Sequence, residues 1–68
     1  MNEQQAFEIG VLEEKAVLDD NRGKLFRFMQ TDKFPTLTPV AQRLMVQQEL
    51  VMRVYSEILG RRIDEFKP

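Results

Sequence analysis

The sequence predicts an all-α protein, an antiparallel two-helix hairpin that assembles into a homo-oligomeric helical bundle. Three observations carry that prediction. Apolar residues recur at heptad spacing in two long segments, at Val11, Leu18 and Leu25 and again at Leu44, Val51 and Ile58. One segment between them, Phe34-Pro35-Thr36-Leu37-Thr38-Pro39, breaks helical character. The second long segment also carries a wider apolar stripe than one neighbouring helix covers.

The first helix is expected over residues 3–30, with Phe7, Val11, Leu18, Leu25, Phe28 and Met29 as its apolar positions. The run Asp19-Asp20-Asn21-Arg22-Gly23 has the composition of a turn. Gly23 alone costs about 1 kcal/mol against Ala in a helix interior. The heptad register nevertheless passes from Leu18 to Leu25 without a slip, so a continuous helix is preferred over a broken one. The same run lacks the third acidic position and the distal Glu of a calcium loop.

The loop is expected over residues 31–38, where Pro35 and Pro39 bias Phe34 and Thr38 away from helix. Phe34 and Leu37 are expected to close the end of the hairpin over its core. The second helix is expected over residues 39–65. Thr38 offers a hydroxyl N-cap and Pro39 suits the first helical position. Two apolar rows lie side by side on it: Leu44, Val51, Ile58 and Met45, Met52, Leu59, Phe66. A short loop implies antiparallel pairing. That pairing sets Leu25 beside Leu44, Leu18 beside Val51, Val11 beside Ile58 and Phe7 near Ile63. The row holding Met45 and Met52 is then left to a second surface, and self-association follows.

One domain spanning residues 1–68 is expected. The chain is 43% hydrophobic and 31% charged, with no Cys, His or Trp. A core of this size rarely supplies more than about 3–5 kcal/mol without a staple. Lack of Cys removes disulfides and thiolate metal sites, and lack of His removes the commonest zinc ligand and general base. Oligomerisation is the staple that remains. The Glu-x-x-His pattern of carboxylate-bridged metals cannot occur, and no phosphate-binding glycine motif is present, so no cofactor is expected. Glu13-Glu14 and Asp19-Asp20 are sequence neighbours that point to different helix faces, which makes them solvated acids and not a catalytic dyad. The expectation is a protein that is not an enzyme.

The segment Met1-Asn2-Glu3-Gln4-Gln5 is acidic and polar where a signal peptide is basic and then apolar. The longest apolar runs, such as Leu44-Met45-Val46, are far short of the roughly 20 residues of a membrane span. No membrane partner is expected, and the expected location is the cytoplasm. The net charge of −1 hides a gradient, −5 over residues 1–20 and +5 over residues 21–62. The basic middle suits a small anion. The acidic first twenty residues argue against duplex nucleic acid, which calls for a clearly basic domain.

Five residues are candidates for a ligand site. Gln48, Tyr55 and Arg62 are spaced by seven along one line of the second helix. There Gln48 could read a base edge or ribose, Tyr55 could stack or donate its hydroxyl, and Arg62 could meet phosphate. The plainer reading makes Tyr55 a core aromatic with a wet tip and Arg62 a cover for apolar surface. Lys24 and Arg27, with Arg22, form a basic cluster that the pairing brings near Arg43, Gln47 and Gln48. The plainer reading makes them surface cations favoured by the helix dipole. Arg61 and Arg62 should fall near Glu3, Glu8 and Glu13, with at least one of them in a surface ion pair.

The order Leu18-Asp19-Asp20, Lys24-Leu25-x-x-Phe28, Phe34-x-x-Leu37, then Leu44-Met45-x-x-Gln48-x-x-x-Met52-x-x-Tyr55-x-x-Ile58-Leu59-x-x-Arg62-Ile63 resembles a family of small bacteriophage helical-hairpin proteins named after a crAss-like phage protein. The resemblance covers residues 11–63. Arg22 departs from it, standing where the pattern is apolar. The architecture is also similar to the phage sponges that sequester nucleotide signals of bacterial CBASS and Thoeris immunity. That resemblance implies a non-catalytic anti-defence protein of the host cytoplasm, binding a cyclic oligonucleotide or a cyclic ADP-ribose-type messenger. Lys24, Arg27 and Arg62 would then neutralise phosphates, while Gln48 and Tyr55 read base and ribose. The competing expectation is a protein-interaction module whose Met45–Met52 face docks a host helix.

Overall fold

The computed structural model describes residues 2–66. Two long helices, α1 (Glu3–Met29) and α2 (Pro39–Asp64), flank a single 3-10 turn at Phe34–Thr36, and no strand occurs among the described residues. The helices lie antiparallel in a rod of 49 × 16 × 14 Å.

Local chemistry explains each boundary. Asn2 caps α1 through a reciprocal box: its side chain accepts from the Gln5 backbone N–H at 2.8 Å, and its own N–H donates to Gln5 Oε1 at 3.1 Å. At the other end the Thr31 hydroxyl adds a hydrogen bond at 2.7 Å to the Phe28 carbonyl, which also accepts from the Thr31 N–H at 3.0 Å. Thr38 starts α2, its Oγ1 accepting from the Ala41 N–H at 3.1 Å, with Pro39 as the first helical residue. Gln42 then reaches back from α2 and donates to the carbonyls of Leu37 at 2.8 Å and Pro35 at 3.2 Å. That fastening holds the loop against α2, with Phe34 and Leu37 half-buried at the closed end.

Helix α1 passes through Asp19–Gly23 without interruption. Exposed Asp20 is held by Lys24 one turn on, at 3.1 Å, and Asp19 by Lys15 one turn back, at 2.7 Å. The turn-like composition is absorbed by these i,i+4 pairs.

The seam differs from the expected one by a single position on α2. Met45, Met52, Leu59 and Phe66 are half-buried or buried, whereas Leu44, Val51 and Ile58 stay 58%, 66% and 50% exposed. On α1 the inward row is the expected one, with Val11 buried and Leu18 and Leu25 half-buried. Polar residues decide the phase. Turning the methionine row inward also brings Glu49 and Ser56 to the seam, where they meet Arg22, Lys15 and Asp19. Had the Leu44 row faced α1, the half-buried Arg22 and Lys15 would lose these partners, and a buried charge without a partner is costly. The apolar core of this hairpin is small: Val11 and Leu59 are its only fully buried hydrophobic residues among those described.

Candidate functional site

Two polar assemblies cross the seam. In the first, Lys15 donates to Asp19 Oδ2 at 2.7 Å and to Ser56 Oγ at 3.0 Å, while the buried Ser56 hydroxyl donates to Asp19 Oδ1. The Lys15 and Ser56 hydrogen bonds hold the Asp19 carboxyl below the usual carboxylate range, against a smaller opposing effect of burial. Here an ammonium donates to the hydroxyl instead of taking its proton, so the trio reads as a brace between the helices. In the second assembly Arg22 donates Nε and Nη2 to the same oxygen of Glu49, Oε1, at 3.4 and 3.3 Å. The other oxygen, Oε2, receives no hydrogen bond from a described residue.

Asp19 of the first assembly and Arg22 and Glu49 of the second line an open groove of about 360 Å³ together with Gly23, Phe26 and Arg53. On α1 the spacing of residues 19, 22, 23 and 26 places them on one face. On α2, Glu49 and Arg53 are one turn apart on the facing side. Gly23 keeps the wall low, and the guanidinium of Arg27 leans over it: its Nη1 lies 3.2 Å from where a Cβ on Gly23 would stand. Phe26 is 53% exposed, so its side chain is accessible from solvent. Glu49 answers Arg22 and Lys15 answers Asp19, but Arg27 and Arg53 form no ion pair with a described residue. The uncompensated charge of the groove is therefore positive. A ring platform, two unpaired guanidiniums and a carboxylate oxygen open to N–H donors suit a ligand with a planar base and an anionic group.

The five residues expected from sequence are dispersed. Arg27 stands at the groove rim. Lys24 is exposed and tied to Asp20. Gln48, Tyr55 and Arg62 share one exposed line of α2, but the ends of that line are about 21 Å apart, longer than a small nucleotide bridges from one wall. Tyr55 borders a separate, wholly apolar depression of about 380 Å³ with Leu50, Val51, Val54 and Ile58. Arg62 lies over the Phe7 ring, 5.6 Å from its centre, in a cation–π contact. Neither Arg61 nor Arg62 forms the expected ion pair with Glu3, Glu8 or Glu13 among the described residues. The ring of Phe7 draws Arg62 instead.

Sequence reasoning missed Phe26, Glu49 and Arg53. A signal for them existed: Glu49 and Ser56 recur at heptad spacing beside the apolar rows, which marks a polar edge of the seam. The departure at Arg22 belongs to the same feature, because its charge is met by Glu49 across the seam.

Fold and groove together define a small helical-hairpin protein with a shallow groove between its helices in which Arg53 has no ion-pair partner among the described residues. Residues 5–65 match the Sequestin family, and the chain belongs to that family. It is also 36% identical over 62 residues to the "Uncharacterized 7.5 kDa protein in denB-rIIB intergenic region" of Enterobacteria phage T4, a match covering 91% of this chain and 97% of that one. The relationship is thus to a family of small phage proteins. No solved structure matches the chain.

Proposed function

We propose that the protein is a non-catalytic phage anti-defence sponge, which binds a nucleotide immune signal in the host cytoplasm and withholds it from its receptor. The ligand class is a cyclic oligonucleotide or a cyclic ADP-ribose-type messenger of CBASS or Thoeris immunity. The observation that carries this reading is the groove between α1 and α2, lined by exposed Phe26 together with Arg22, Arg53 and Glu49, with Arg27 leaning over Gly23 beside it. The family name denotes sequestration, and it supports a role that ends at binding. In this reading Phe26 stacks a base, Arg53 and Arg27 meet phosphates, and Glu49 accepts from a base N–H. Self-association into a helical bundle is part of the proposal. Gln48, Tyr55 and Arg62 reach a ligand only where copies meet.

The rival reading, a methionine face docking a host helix, loses its surface. Met45 and Met52 are half-buried in the seam of the hairpin itself.

The test is titration calorimetry with cyclic dinucleotides and cyclic ADP-ribose isomers, with the ligand recovered and analysed by chromatography. Binding of at least one compound, its recovery intact, and about tenfold or greater weakening in Phe26→Ala and Arg53→Ala are expected. No heat from any compound at saturating concentration, or a ligand recovered cleaved, overturns the reading.

A further inference from the structure

On its outer side α2 carries two adjacent rows at heptad spacing. Leu44, Val51 and Ile58 form one, and Val40, Gln47 and Val54 the other. Each of the five apolar members is exposed by about half or more, from 48% at Val54 to 66% at Val51. Neither row contains a charge between Val40 and Ile58. This is the a/d pattern of a helix that pairs with another helix. Helix α1 cannot serve, because it already occupies the face of Met45, Met52 and Leu59.

Charge beside the rows identifies the occupant. Arg43, Leu50 and Glu57 form a flanking line at the same heptad spacing, with Leu50 midway between a cation and an anion of equal separation. Neither Arg43 nor Glu57 forms an ion pair with a described residue of its own chain. Turning a second copy of α2 end for end about Leu50 brings Arg43 of each copy to Glu57 of the other. Leu50 then meets its own counterpart, and the core rows, offset by two residues from this flanking line, set Leu44 nearest Val54 and Val40 nearest Ile58. A two-fold contact must be self-complementary in this way. A parallel arrangement leaves Arg43 without an acid and directs Glu57 to Arg62, whose guanidinium is already over Phe7.

We propose that two copies of the hairpin pair through antiparallel α2 helices about a two-fold axis near Leu50, with Arg43 and Glu57 fixing direction and register. This deepens the self-association proposed above by giving its face, symmetry and register. It does not depend on which ligand the groove takes, because the groove lies outside the paired rows.

The experiment is sedimentation at micromolar concentrations of the full chain, of Arg43→Glu, of Glu57→Arg, and of an equimolar mixture of the two variants. The full chain should sediment as a dimer or a multiple of it. Each reversal alone should weaken pairing by about tenfold, because it sets like charges together twice per interface. The mixture should restore pairing, since every Glu then meets an Arg. Leu50→Cys, in a chain with no other cysteine, should cross-link to itself on oxidation. A monomeric full chain, an Arg43→Glu variant that associates normally, or a mixture that stays weak would each overturn the proposal. So would a Leu50→Cys chain that fails to cross-link. Nucleotide binding is read separately by calorimetry, so a failed interface and a failed sponge are distinguishable.

Discussion

Arg22 and Glu49 meet across the helix seam through a single carboxylate oxygen, with both guanidinium nitrogens on Oε1 at 3.3–3.4 Å. The contact is long for a charged pair and leaves Oε2 open. The pair ties the two helices together and leaves one carboxylate oxygen without a hydrogen bond from a described residue.

Removing one partner tests that tie. Glu49→Ala strands the half-buried Arg22 and is expected to cost about 1 kcal/mol in urea unfolding. The double variant Arg22→Met, Glu49→Leu replaces the pair with apolar contact and should recover that loss or exceed it. The same double variant should still lose nucleotide affinity, because the groove then lacks both a cation and an acceptor.

Acid should loosen the brace at Asp19. Its carboxyl titrates below the usual range when folded, owing first to Lys15 and then to Ser56. The unfolded chain therefore takes up a proton more readily than the folded one. The brace contributes in full above the ordinary Asp value of about 3.9, and its contribution disappears as pH falls through the lowered folded value. Melting temperature should thus drop below about pH 4, and Asp19→Asn should flatten that part of the curve.

Two glycines in α1 should respond differently to Ala. A Cβ on Gly10 meets nothing within 4 Å, so Gly10→Ala should add about 0.5–1 kcal/mol with ligand affinity unchanged. Gly23→Ala should also stabilise the helix, but its methyl group displaces the guanidinium of Arg27, now 3.2 Å from that position. Melting should rise while nucleotide affinity falls, read by thermal scans and calorimetry on the same samples.

Core and outer rows should separate by concentration dependence. Leu59 is fully buried, and Leu59→Ala should cost about 2–4 kcal/mol at every protein concentration. Val51 is 66% exposed in the hairpin, so Val51→Ala should leave the hairpin within about 0.5 kcal/mol of the parent while making the melting temperature more dependent on dilution.

Much of the fold is legible in the sequence. Thr38-Pro39 announces the start of α2, the heptad from Val11 to Leu25 survives the turn-like run, and the antiparallel pairing follows from a short loop. The phase of α2 is not legible, because the rows Leu44-Val51-Ile58 and Met45-Met52-Leu59 are about equally apolar. The choice rests on contacts such as Ser56 with Asp19 and Glu49 with Arg22, made between residues far apart in the chain. For the same reason nothing along the sequence singles out Phe26, one of the aromatics near the loop, or Arg53, one cation of the basic middle. They border a groove only when the two helices stand side by side. Arg27 was recognisable as a cation, but its position over Gly23 follows from the turn of helix between them.

The clasp by which Gln42 grips the carbonyls of Pro35 and Leu37 sits at the point where the chain reverses. Contacts nearest that bend join residues close in sequence, so ordering can start there and run toward both ends like a closing zip, with little loop entropy to overcome at each step. A hairpin assembled in this way should reach its folded form within about milliseconds.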